Sequence, residues 1–332
     1  MKLSSFFALL LCRLSWAAPT CISDSGFAIG SWFLIKSPAS TAYMYSDVHT
    51  PLVASAHDLN STTDGALSAT LQQLWHTETN YILFNDEPLG MNSSSSVFGH
   101  TKGVWMWNDQ GDAAILTHSV PLFPAGPGLV DHYSGLGANA YKYAQHMACF
   151  STTVAHMTRL ARLAVLTVPD IYDMRISTAT PTALRDLSMG ARNKGAFCNH
   201  TFFQTTDGQN ITYFAKSSQW NNELYASCMA PVLSASLIVE SWIRGSVEGP
   251  SCGLYAVLDV KNLNFSGTGW KETQDHSKWA VGIATPWVCP SDINRMLSQY
   301  GRGGSSFCYQ QAELAVSLND AITASDTCAF NV

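Results

Sequence analysis

The sequence predicts a mixed α and β fold built on layered sheets, and three observations carry that prediction. Short runs dominated by aromatic and β-branched residues recur along the chain, as strands require. Between them lie stretches whose apolar residues repeat at helical spacing. The chain has 332 residues, of which 46% are hydrophobic and 13% charged, enough apolar surface for one large domain or two. Such a composition excludes general disorder.

The amino terminus is set apart from the fold. Lys2 is followed by a short apolar run that Arg13 interrupts, then by Ser15-Trp-Ala17 and Ala18, the pattern of a secretory leader cut after about Ala17. The run is too short to span a bilayer, which takes about 20 apolar residues. No later segment qualifies, so the sequence predicts a leader at 1–17 and a soluble mature chain at 18–332.

Predicted strands follow at 31–36, 80–84, 102–107, 113–118, 211–215, 236–240 and 254–259. The clearest predicted helix is 152–167, where Val154, Met157, Leu160, Ala161 and Val165 keep a 3.6-residue period until Pro169 ends it. The four serines at 93–96 and the proline- and glycine-rich stretch 121–128 read as loops, too short to link domains.

Nine cysteines are present, and losing Cys12 with the leader leaves eight: Cys21, Cys149, Cys198, Cys228, Cys252, Cys289, Cys308 and Cys328. An even number suits an oxidised framework. No Cys-x-x-Cys occurs, which argues against a zinc ribbon or a thioredoxin-like site. Asn60, Asn92, Asn199, Asn210 and Asn264 head glycosylation sequons, in keeping with a secretory route.

The formal charge of −6 becomes −8 once Lys2 and Arg13 leave with the leader, which disfavours binding a polyanion at neutral pH. The ten histidines reverse this in acid, since protonating all of them brings the balance to +2. For a nucleic-acid ligand this predicts productive binding in an acidic compartment and weak binding at neutral pH; the alternative is that surface histidines are merely numerous.

One short element occurs twice, as Gly99-His-Thr-Lys102 and Asp275-His-Ser-Lys278. Side chains alternate along an extended strand, so the histidine and lysine of each pair point the same way. Each pair places an imidazole beside a fixed cation. A neutral imidazole can attack phosphorus, a protonated one can protonate the departing alkoxide, and ammonium groups can hold the non-bridging oxygens. The scheme needs no metal. Gly249-Pro-Ser-Cys-Gly253 has the form of a serine-hydrolase elbow but runs into a strand rather than a helix, and it carries a cysteine with a bonding partner to find. No phosphate-binding loop or His-Glu-x-x-His motif occurs, and His132, His146 and His156 lack ligand spacing.

Gly99-His-Thr-Lys-Gly-Val-Trp-Met-Trp-Asn-Asp109, Leu116-Thr-His-Ser-Val-Pro-Leu-Phe-Pro124 and Asp275-His-Ser-Lys-Trp279 resemble the deoxyribonuclease II family in order and spacing. Trp32-Phe-Leu-Ile-Lys36, Tyr81-Ile-Leu-Phe-Asn-Asp86, Phe214-Ala-Lys-Ser-Ser218 and Leu224-Tyr225 extend the resemblance across the mature chain. It implies a phospholipase D-like fold of two pseudo-symmetric halves, about 18–168 and 169–332, each a central sheet flanked by helices. It also implies an acid endonuclease cutting DNA without metal or cofactor and leaving 3′-phosphate and 5′-hydroxyl ends.

By position the resemblance assigns the site to His100, Lys102, His118, His276 and Lys278, with His100 as the nucleophile that forms a phosphohistidine and His276 as acid and then base. His118 would bind phosphate or orient a neighbour. Asn108 stands where the superfamily pattern places an acid, so the partner of the first pair is left unassigned. The same resemblance implies disulfides Cys21–Cys149, Cys252–Cys328 and Cys289–Cys308, leaving Cys198–Cys228; sequence alone permits 105 pairings. It suggests a homodimer clamping DNA, with no membrane partner, in a lysosomal or extracellular setting. Two rivals share the motifs: a silent nucleic-acid-binding protein on the same fold, and a phospholipase D acting on lipids.

Overall fold

A computed structural model describes residues 18–90, 97–193 and 195–328. The leader at 1–17, the Asn92 sequon and the 93–96 serines lie outside the described residues. Two large sheets face each other across a shared core. The first half supplies β1 (Ser31–Lys36), β2 (Ala42–Asp47), β3 (Thr50–Asp58), helix α1 (Gly65–Leu71), β4 (Asn80–Asn85), β5 (Lys102–Trp107), β6 (Asp112–His118), β7 (Gln145–Thr153) and helix α2 (Val154–Ala164). With β8 (Ile171–Arg175) these strands form an eight-stranded antiparallel sheet in the order β8-β4-β5-β6-β7-β1-β2-β3. The sheet thus reaches past residue 168, because β8 pairs with β4 at its edge.

The second sheet contains β9 (Cys198–Gln204), β10 (Asn210–Lys216), β11 (Leu237–Glu240), β12 (Ala256–Phe265), β13 (Trp279–Gly282), β14 (Trp287–Pro290) and β15 (Gly304–Gln310), which leads into helix α3 (Ala312–Ala321). Its order is β9-β10-β15-β14-β13-β11-β12, extended by short strands beside β12. The β11–β12 pairing is parallel.

Central strands of the first sheet are covered on both faces, which explains their unbroken apolar runs. On β1, Phe33 and Ile35 enter the core between the sheets, whereas Trp32 and Leu34 face α1 on the outside. On β5, Trp105 and Trp107 point inward while Val104 and Met106 point outward. Across the middle, Phe150 of β7 stacks on Phe307 of β15 with ring centres 5.4 Å apart. The outer face of the second sheet is covered by the helical stretch 225–233, through Tyr225, Met229 and Leu233.

The helix expected at 152–167 is shorter, Val154–Ala164, because the Thr153 hydroxyl accepts the His156 N–H and sets its start. Met157, Leu160, Ala161 and Ala164 make its buried face. The strand expected at 254–259 begins at Ala256 and runs on to Phe265, because a hairpin partner at Thr268–Lys271 and a strand at Ile322–Ser325 both pair with it. Disulfides join Cys21 to Cys149, Cys198 to Cys228, Cys252 to Cys328 and Cys289 to Cys308, the four pairs the family resemblance implies. Asn60, Asn199, Asn210 and Asn264 are exposed, as glycan attachment requires. Among the described residues no helix is long and apolar enough to cross a membrane.

Candidate active site

The two His–Lys pairs do not lie within strands, as simple alternation suggested. Each sits just where a strand begins: Lys102 opens β5, and Lys278 immediately precedes β13. The approach segments are held from the opposite half. The His100 N–H donates to the Gly303 carbonyl at 2.8 Å, and the His276 N–H donates to the Ala144 carbonyl at 2.9 Å. Gly99 and Gly303 both crowd the Thr167 carbonyl; a Cβ added at either would stand 1.9 or 2.3 Å from that oxygen. Only glycine permits the crossing at these two points.

Asp86, one residue past β4, organises the first pair. Its fully buried carboxylate accepts Lys102 Nζ and an Arg302 guanidinium N–H at 2.8 Å, and it lies 3.8 Å from His100 Nε2. Burial alone would raise this carboxyl, but Lys102, His100 and Arg302 hold it well below the usual carboxylate range. Burial and then the Lys102 charge drive His100 well below an ordinary imidazole, against the opposite pull of Asp86. Asn108 is not the supporting acid: its side-chain oxygen accepts the Gln110 and Asp112 N–H groups and shapes the β5–β6 turn.

The second pair has a different setting. His276 stacks flat on Tyr143 at 3.9 Å and leans against Trp242 at 4.1 Å. Burial, then the charges of Lys278 and Lys102, push its pKa down to about 2. Lys278 is buried and falls to about 7, burial first and repulsion from Lys102 next. Its Nζ donates to the His276 carbonyl, and its N–H donates to His146 Nδ1 at 3.2 Å. Asp275 accepts Trp270 Nε1 and the Ser277 N–H, each at 2.7 Å, and so fixes the approach segment.

The two pairs act on each other. Lys278 is among the charges that depress His100, and Lys102 among those that depress His276. His118, at the end of β6, belongs to the same cluster but is fully buried and stacks on Phe123 at 4.0 Å. Burial, then the charges of Lys102 and His146, lower it well below 6.5. At the rim, exposed Lys142 lies over Tyr143 at 4.9 Å and exposed Arg244 over Trp242 at 4.7 Å. Among the described residues no group of three or more His, Cys, Asp or Glu is placed to hold a metal ion.

Sequence reasoning missed Asp86, Arg302, Tyr143, Trp242 and His146 as site residues. Asp86 closes a run already quoted for the family resemblance, which was a usable signal. Arg302 meets Asp86 from 216 positions away, and nothing local announces it.

The deoxyribonuclease II family profile matches residues 20–328. The chain belongs to the deoxyribonuclease II family. It is similar to Deoxyribonuclease-2 of Caenorhabditis elegans, 32% identical over 93% of this chain and 94% of that protein. It is also similar to Deoxyribonuclease-2-alpha of Rattus norvegicus, 30% identical over 97% and 99% of the two chains. Among solved structures, yeast tyrosyl-DNA phosphodiesterase aligns over 86% of this chain and 90% of its own, at a TM-score of 0.37 and 10% identity.

Proposed function

We propose that this chain is an acid endodeoxyribonuclease of the secretory or lysosomal route, cutting DNA through His100 and His276 with Lys102 and Lys278 on the phosphate. The observation that carries this reading is the convergence of two His–Lys pairs, one from each sheet, into one electrostatic neighbourhood. Four disulfides and exposed sequons fit the compartment.

Pseudo-symmetry of the halves belongs to the same proposal. The strands β4-β5-β6-β7-β1 neighbour each other in that order, and β11-β13-β14-β15-β10 do likewise, antiparallel throughout. In chain order β1, β4, β5, β6, β7, α2 matches β10, β11, β13, β14, β15, α3. Asn85 lies opposite Lys102 and Glu240 opposite Trp279, so extending the second register by one puts Ser241 beside Lys278. Trp242 then takes the place that Asp86 holds in the first half.

That difference assigns roles. A histidine that attacks phosphorus becomes a positively charged phosphorylimidazolium, and the Asp86 carboxylate beside His100 stabilises the developing charge. His276 packs against the aromatic rings of Tyr143 and Trp242, which attract an imidazolium, and its partial exposure lets it exchange protons with water. In the reaction, a His100 nitrogen bonds to phosphorus as the P–O5′ bond breaks, and His276 protonates the leaving oxygen. Water then attacks phosphorus, gives its proton to His276 and releases His100, leaving a 3′-phosphate and a 5′-hydroxyl.

Acid dependence follows from the same charges. Lys278 titrates near 7, so its ammonium is complete only in acid. A bound phosphodiester offsets the two ammonium charges and lets His276 take up the proton that it lacks in the free protein. Lys142 and Arg244 are placed to meet neighbouring phosphates. A homodimer remains part of the proposal, checked by mass in solution.

The test is nicking of supercoiled plasmid by the purified glycoprotein in excess EDTA at about pH 5 and about pH 7.5, beside His100→Ala. Cutting in acid, lost in the variant, is the expected result. No cutting at either pH, or cutting that survives the substitution, overturns the reading.

A further inference from the structure

Lys36 ends one run that the family resemblance singled out and Lys216 lies within another, and the cleavage scheme uses neither. They are the last residues of β1 and β10, and each is 1% exposed. Their ammonium groups bond to backbone carbonyls. Lys36 donates to the carbonyls of Ser37 at 2.9 Å, Tyr141 at 3.1 Å and Tyr143. Lys216 donates to those of Gln299 at 3.2 Å and Tyr300 at 2.8 Å.

The two settings match position by position. Lys36 lies opposite Gln145, the first residue of β7, and Lys216 opposite Gly304, the first residue of β15. Each lysine therefore gathers the loop that leads into the neighbouring strand. The last residue of each loop is the one that grips a histidine of the other half: Ala144 accepts the His276 N–H, and Gly303 accepts the His100 N–H. The first loop also carries Tyr143, stacked on His276, and the second carries Arg302, bonded to Asp86. Gathering two or three carbonyls at one buried point needs several donors on a long stem, which a lysine ammonium supplies.

We propose that Lys36 and Lys216 are positioning residues for phosphodiester cleavage, Lys36 holding His276 through residues 141–144 and Lys216 holding His100 through residues 299–303. Each lysine thus acts across the boundary between the halves. The inference rests on the reading above of His100 and His276 as the reacting groups. Burial lowers both ammonium groups to about 8, with Asp275 opposing the shift at Lys36 and Glu223 and Asp292 opposing it at Lys216, so both stay charged at acid and neutral pH.

The experiment compares Lys36→Met and Lys216→Met with His276→Ala and His100→Ala on two substrates, plasmid DNA and thymidine 3′-(4-nitrophenyl phosphate). Nitrophenolate leaves without a proton, so in a single turnover loss of the acid spares its release and loss of the nucleophile does not. Lys36→Met is expected to copy His276→Ala in pattern, losing about 10- to 100-fold in kcat on DNA with KM little changed and far less in the single-turnover release of nitrophenolate from the ester. Lys216→Met should lower both substrates alike. Amide hydrogen exchange gives a readout free of the catalytic assignment: it speeds at His276 and not His100 in Lys36→Met, and the reverse in Lys216→Met.

If the two histidine variants fail to split as assigned, the roles are wrong, while the exchange data still decide the lysines. If both lysine variants loosen both amides together, or neither, the positioning proposal is overturned. Should a methionine variant not fold, Lys36→Gln or Lys216→Gln, which keep a donor, replace it. Failure of those to fold also overturns the proposal, because it makes the lysines structural.

Discussion

Replacing Asp86 by asparagine strikes the site at its hub. Asp86 is fully buried, binds Lys102 Nζ and Arg302, and stands 3.8 Å from His100 Nε2. Asparagine keeps the shape and one acceptor but removes the charge, so Lys102, itself buried, loses its counter-ion. Breaking a buried pair from one side costs about 3–5 kcal/mol, and a retained acceptor places the expected loss near the lower figure, about 3 kcal/mol. Catalysis suffers separately. A unit positive charge on His100 at 3.8 Å from a carboxylate is favoured by about 4 kcal/mol at an effective dielectric near 20.

Lys102 and Arg302 share the same carboxylate, so roughly half of that, about 2 kcal/mol, is available to the phosphohistidine of the proposed mechanism, or about 30-fold in kcat. The pH dependence has a definite sign. A carboxyl depressed in the folded state contributes stability that is complete above its unfolded pKa of about 3.9 and lost only as pH falls through its lower folded value. The destabilisation should therefore be the same at about pH 5 and about pH 7. Urea unfolding at both values, with single-turnover cleavage at the lower, measures each part. A loss of stability under about 1 kcal/mol, or one that disappears at pH 5, would refute the account of Asp86 as the charged hub.

Cys21→Ser with Cys149→Ser opens a cross-link spanning 128 residues, and the chain-entropy argument expects about 4–5 kcal/mol less stability by urea unfolding; a loss under about 1 kcal/mol counts against it. Glu223, Asp259 and Asp292 are raised to about 7 by burial, so their contribution is complete below about pH 4 and lost as pH rises through 7. His146 and His276, depressed to about 3 and about 2, contribute stability that is complete above about pH 6.5 and lost as pH falls through those values. The two sets oppose each other between about pH 4 and 6.5, so a scan of melting temperature should be shallow there and fall as pH drops below about 4, where only the histidines still titrate; a melting temperature that holds or rises below about pH 4 would contradict it.

Strand positions were legible because most central strands are apolar on both faces and read as unbroken runs, as with Ser31–Lys36 and Lys102–Trp107. The five motif residues were legible through their repeat and context. Their partners were not. Asp86 follows an asparagine at a strand end and has the local signature of a turn residue. Arg302 lies in a glycine-rich loop. His146 sits inside a strand whose neighbours are core residues, and its role rests on an N–H donated by Lys278, 132 positions away. Each of these depends on contacts across the two sheets, which local periodicity does not encode.

The crossing itself explains why both halves are needed. Neither histidine has its backbone donor satisfied by its own half: His100 depends on Gly303, and His276 on Ala144. An isolated half would present an imidazole on a loose approach segment beside one ammonium, a poor nucleophile or a poor acid but never both. Bringing the halves together fixes both rings at once, and it also brings each lysine's charge into the other's histidine. The crowding of Gly99 and Gly303 against one carbonyl shows how little space the crossing leaves. What the shared geometry does not supply is a division of labour. On the proposed assignment it comes from the matched position that Asp86 holds in the first half and Trp242 in the second. A carboxylate there suits the ring that must gain positive charge in the reaction, and an aromatic face suits the ring that must carry a proton and give it up.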